Sequence, residues 1–169
     1  MNNRKRFLAF IVAALMLSAT AGQTFAQGQG NGKDKGKSKK EEKKLDKEAR
    51  KLEKKAEGAE EQLGRDVVFC ILAAHTTGVG TAQELKDKFT SLTDFPFGQF
   101  VAAVLLADRI DIPLNDILAK LVAGMSIGQI TKEANVNMGE VRKGFGEFRS
   151  ELARSITNPP TRDCFKTAP

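Results

Sequence analysis

Cys70 and His75 are the residues of this chain whose types could do covalent chemistry. A thiolate becomes a useful nucleophile when a neighbouring imidazole takes its proton and a third group orients that imidazole. The chain has one His and two Cys, Cys70 and Cys164. On a helix, a spacing of five points the Cys70 and His75 side chains away from each other, and no Asp or Asn stands by as the orienting group. His75 instead ends an apolar run, where a helix's negative end suits a basic ring. A metal centre needs three or four gathered ligands, and one His with two distant Cys does not offer them. "TTGVGTAQ" at 76–83 is a Gly-containing turn that could hold an anion at the helix start following it, or simply link two helices. These readings give no catalytic residue, no metal ligand and no cofactor site, so a non-enzymatic protein is expected.

The cysteines also admit a structural role. The chain opens with "MNNRKR", a positive segment, followed by the apolar "FLAFIVAALMLSATAG" and a small-residue site ending at Ala26. These are the three parts of a secretory signal peptide, residues 1–26, with cleavage after Ala26 or, as a second choice, after Ala21. An uncleaved anchor is the alternative, although 16 apolar residues are short against the roughly 20 of a spanning helix. The expected location is therefore periplasmic or secreted. In that compartment two cysteines favour one disulfide, Cys70–Cys164, over two free thiols. Closing so long a loop is worth at most roughly 4–5 kcal/mol.

Charge divides the remainder. The formal net charge is +6. Residues 27–55 carry 12 basic and 6 acidic groups, while residues 56–169 carry 12 basic and 15 acidic groups. The positive excess thus lies before the main domain. Residues 27–44, "QGQGNGKDKGKSKKEEKK", contain no apolar residue and read as a disordered Gly/Lys-rich arm. Lys39, Lys40, Lys43 and Lys44 could touch an anionic polymer or a membrane surface, or the arm could be a solubilising spacer. No aromatic residue interleaves these lysines to stack bases.

At 45–63 a charged helix begins, with Leu45, Ala49, Leu52, Ala56, Ala59 and Leu63 at alternating spacings of four and three. Such a heptad seam can lie against the domain, stand partly free or drive self-association. Its weight of alanine favours the first two. From 65 to 157 every signal is helical. "TAQE" at 81–84 is a capping box, Pro113 breaks a long apolar helix, and Asn135 suits a left-handed turn. Asn137 and Glu140 repeat the capping-box spacing. Val141, Phe145, Phe148 and Leu152 share one face of the last helix, and 158–169 form a tail. "FGQF" at 97–100 pairs with "IGQI" at 127–130, and "IPLNDI" at 112–117 pairs with "VNMGEV" at 136–141, the first copy having a spacer six residues longer. The expected fold is all-α, a small helical bundle with duplicated helical hairpins.

Residues 124–143, "GMSIGQITKEANVNMGEVRK", resemble the helix-turn-helix of quorum-type response regulators and sigma factors. Gly124, Met125, Ser126, Ile130, Val136 and Val141 stand where that family has its turn, cap and buried positions, with Arg142 and Lys143 following. The resemblance implies a reading helix beginning near Asn137. Thr131 replaces the family's small Ala, Asn135 replaces its turn Gly, and Glu140 brings the wrong sign to a phosphate surface. The export signal and the acidic domain also count against specific DNA. What remains is a corner used as architecture, with Asn137, Met138 and Arg142 as candidate contacts for a protein partner in the cell envelope. The leading expectation is an exported protein-interaction or structural module; the alternative is a binder of nucleic acid or another anionic polymer through the arm.

Overall fold

The computed structural model describes residues 32–110, 112–160 and 162–165. Seven helices follow one another: α1 (Gly32–Leu63), α2 (Arg65–His75), α3 (Ala82–Thr90), α4 (Phe97–Arg109), α5 (Leu114–Val122), α6 (Ile127–Glu133) and α7 (Met138–Thr157), with a 3-10 turn at Arg162–Phe165. There is no strand among the described residues. The all-α bundle expected from the periodicity is thus what forms. The expected signal peptide and residues 27–31 of the arm lie outside the described residues.

The principal difference is where order begins. Residues 32–44, expected to be disordered, are the first three turns of α1. Their own composition cannot bury apolar surface, but they are continuous with the seam. Glu41 and Glu42 then reach Arg142 and Lys132 on other helices, at 3.0 and 3.5 Å. Tertiary contacts outweigh the local preference. The helix at 45–63 and the domain at 65–157 are also one body, since residues from Gly32 onward cluster together.

α1 is the axis on which the rest is built. Leu45, Ala49, Leu52, Ala56, Ala59 and Leu63 are all buried against the bundle. The seam is therefore consumed within one chain and is not offered for self-association. α7 repeats the 4-3-4 spacing with Val141, Phe145, Phe148 and Leu152, each fully buried. Two ion pairs fix the direction of this packing. Arg142 meets Glu41 at 3.0 Å and Arg149 meets Glu48 at 2.8 Å. Both partners advance by seven residues, so α1 and α7 run parallel in heptad register.

The sequence repeat has a structural counterpart. Phe97 and Ile127 each open a helix, and Leu114 and Met138 each open its successor. α4 has 13 residues and α6 has 7, which accounts for the six-residue spacer difference. The shared glycine of the two copies is where each hairpin touches α1. A Cβ at Gly98 would stand 2.6 Å from the Glu53 carbonyl oxygen, and one at Gly128 would stand 2.8 Å from that of Glu42. Only a residue without a side chain lets these backbones approach so closely.

The helix ends follow local chemistry. Thr81 and Glu84 form the expected capping box, as do Ser126 and Gln129. At α7, by contrast, Asn137 caps by accepting from the Gly139 amide at 2.8 Å, and Glu140 does not reach back. Asn135 takes the left-handed turn at φ 54°. Thr131 is fully buried, and its hydroxyl donates to the Ile127 carbonyl at 2.8 Å, which satisfies it inside the core. Phe69, Phe89, Phe97 and Phe100 interlock edge to face at the other end of the core.

Candidate anion-binding face

Between Lys39 and Lys54, α1 carries eight basic and five acidic residues, and the fold sorts them by face. All eight cations (Lys39, Lys40, Lys43, Lys44, Lys47, Arg50, Lys51 and Lys54) are exposed. All five acids are half-buried and turned toward the bundle. Glu41 and Glu48 face α7 through Arg142 and Arg149. Glu42 faces α6 through Lys132. Asp46 caps α6, accepting the Gly128 amide at 2.7 Å and the Ser126 hydroxyl at 3.1 Å. Burial raises the Glu53 carboxyl above its ordinary pKa, and the nearby Glu57 adds to that. The acids are spent on folding, which leaves a helix face of a single sign.

This face continues into a groove. Lys44, Lys47, Glu48 and Lys51 of α1 form one wall; Gly139, Arg142 and Lys143 of α7 form the other, around about 580 Å³. Five of the seven lining residues are cations. The one carboxylate, Glu48, is held below its ordinary pKa by its bond from Lys51 and by Arg149. Lys44 and Lys51 each donate to the glutamate three residues earlier, at 2.7 Å. Such exposed pairs are worth only about 0–1 kcal/mol and exchange readily for an incoming anion.

The structure thus brings two expected candidates, Lys44 and Arg142, into one site and leaves others out. Lys39, Lys40 and Lys43 lie on the same helix face, outside the groove. Asn137 is exposed at the cap of α7. Met138 is not the free contact expected, because it packs half-buried against the core. Arg142 is likewise half-buried and engaged by Glu41. Lys47, Lys51 and Lys143 were missed. The seam is the signal that finds Lys47 and Lys51, since both positions fall opposite or beside it once its inward direction is fixed; Lys143 joins them only through the packing of α7 on α1.

The residues with potential covalent chemistry are occupied elsewhere. Cys70 is joined to Cys164, with Cα atoms 5.8 Å apart, which pins the 3-10 turn onto α2. His75 Nδ1 lies 2.5 Å from a Glu151 carboxylate oxygen, its ring packs edge-on to Phe148, and its Nε2 is buried without a partner. At the 76–83 turn, the Glu84 carboxylate accepts from the Thr81 amide and hydroxyl and so fills the anion position itself. These bonds hold the Glu84 carboxyl below its ordinary pKa. Among the described residues no helix is long and apolar enough to cross a membrane, and no three potential ligands gather as for a metal. No protein-family model matches the chain, and no curated protein or solved structure does either.

Proposed function

We propose that this chain is an exported, non-enzymatic helical module of the cell envelope that engages an anionic partner through the outward face of α1. The observation that carries the reading is the sorting of charge on α1 between Lys39 and Lys54, eight exposed cations against five inward acids. Such a face raises the local concentration of anions and speeds their encounter. A second observation points the same way. Val122 is the one large hydrophobic side chain that is exposed among the described residues, so the surface offers charge far more than apolar contact. Export rests on the signal-like start of the sequence.

The test separates a face from a net charge. Lys40, Lys43 and Lys47 are changed to Gln in one full-length variant, and Lys88, Lys120 and Arg154, none of which touches α1, to Gln in another. Both lose three charges. Elution from an anionic matrix should fall to clearly lower salt for the α1 variant and stay near wild type for the other. Equal shifts in the two variants would reduce the reading to non-specific charge.

A further inference from the structure

We propose that the groove between α1 and the start of α7 is a channel for a linear phosphate-backbone polymer, gripped by its charges and not by its side groups. The proposal rests on the anion-binding reading above and narrows it to one class of occupant. Three observations carry it.

The first is shape. The two walls are parallel helices, held in register by Glu41–Arg142 and Glu48–Arg149. An open, shallow depression bordered by two parallel helices suits a chain that runs along it, whereas a lipid headgroup plane would meet the convex face of α1. The second is spacing. Lys44, Lys47 and Lys51 place their stems over about 10 Å of helix axis, at 1.5 Å per residue. Successive cations therefore stand about 5 Å apart, the scale of repeating charges on an extended phosphate chain. Lys143 and Arg142 face them from α7. The third is the lining itself. No aromatic side chain borders the groove, so the stacking platform that single-strand binders use for bases is missing. Gly139 lies in the α7 wall within its first turn, where the positive end of a 20-residue helix adds to the same field.

The test uses the full chain and a fluorescein-labelled 20-mer of deoxythymidylate, read by anisotropy across a salt series. One variant carries Lys47→Gln and Lys143→Gln, which removes two groove charges. Another carries Lys43→Gln and Lys54→Gln, which removes two charges from the same helix outside the groove. Each phosphate contact on a single strand contributes about 0.7 to the slope of log affinity against log salt. The groove variant should lower that slope by about 1.4, and the outer variant by less than half as much. Unlabelled linear inorganic polyphosphate of equal length should displace the oligonucleotide at a similar phosphate concentration, because it has the backbone and no bases. Equal effects of the two variants would overturn the channel while leaving the charged face standing. Failure of polyphosphate to compete would overturn recognition through the backbone. Unchanged binding in both variants would remove the anion-binding reading as well.

Discussion

Gly98→Ala should destabilise the protein, although alanine is the better helix former. The added Cβ would stand 2.6, 2.7 and 2.8 Å from the Glu53 carbonyl oxygen, Cα and carbonyl carbon. All three are backbone atoms of α1, so no side chain can swing aside. Reaching ordinary contact near 3.4 Å from 2.6 Å requires the start of α4 to retreat by about 0.8 Å. That end of α4 carries Phe97 and Phe100, which are buried in the aromatic cluster. Overpacking a close contact costs typically about 1–3 kcal/mol, and three backbone clashes put this one at the upper end. Replacing glycine in a helix returns up to about 1 kcal/mol. The net expectation is a loss of about 2 kcal/mol. Gly58 supplies the control. It lies inside α1 with nothing within 4 Å of a built Cβ, so Gly58→Ala should gain about 0.5–1 kcal/mol. Urea unfolding followed by circular dichroism at the helix band would read both. With a slope of about 2 kcal/mol per molar, Gly98→Ala should lower the midpoint by about 1 M. If Gly98→Ala matches or exceeds wild type while Gly58→Ala behaves as expected, the tight α1–α4 contact is refuted, and with it the reason for the glycine shared by both repeats.

Three further outcomes follow from the same geometry. Asp46→Ala leaves the Gly128 amide and the Ser126 hydroxyl without their acceptor and should cost about 1–3 kcal/mol, read by the same unfolding assay; a loss below about 0.5 kcal/mol would show that these bonds contribute little. Cys164→Ser opens a link across 94 residues of sequence, and removal of such a bridge should cost about 2–4 kcal/mol; a melting temperature indifferent both to the substitution and to reductant would contradict it. Glu53 has its native pKa raised, chiefly by burial. Its native form therefore binds a proton more readily than the unfolded chain, and its contribution to stability falls as pH rises through the raised pKa. Glu53→Gln should remove that fall and make the variant the more stable protein at neutral pH, whereas parallel pH profiles for variant and wild type would show that Glu53 is not strained.

Much of the architecture was legible because its signals are local. The capping box at Thr81, the cap at Ser126, the Asn135 turn and the two copies of the hairpin all depend on neighbours within a few residues. The seam from Leu45 to Leu63 showed which side of α1 is buried. The start of α1 was not legible. Residues 32–44 lack apolar groups, and the tertiary contacts at their end join Glu41 to Arg142 and Glu42 to Lys132, 101 and 90 positions apart in sequence. The site was hidden for a related reason. Net charge by segment counts Glu41, Glu48 and Asp46 against the lysines beside them, yet the fold turns those acids inward. Arg142 was expected as a free contact; it is instead a partner of Glu41 that also borders the groove. Pairing across helices decided both, and a linear reading does not see it.

The most direct test of the charged face is the salt dependence of polyanion binding by the unaltered chain. Affinity for a linear phosphate polymer would be measured between about 50 and 200 mM salt, over which log affinity falls linearly with log salt. Five groove cations, Lys44, Lys47, Lys51, Arg142 and Lys143, at about 0.7 each, give an expected slope near −3.5 in log affinity against log salt. A slope near zero, or no binding at the lowest salt, would contradict the proposal that α1 presents an anion-binding face.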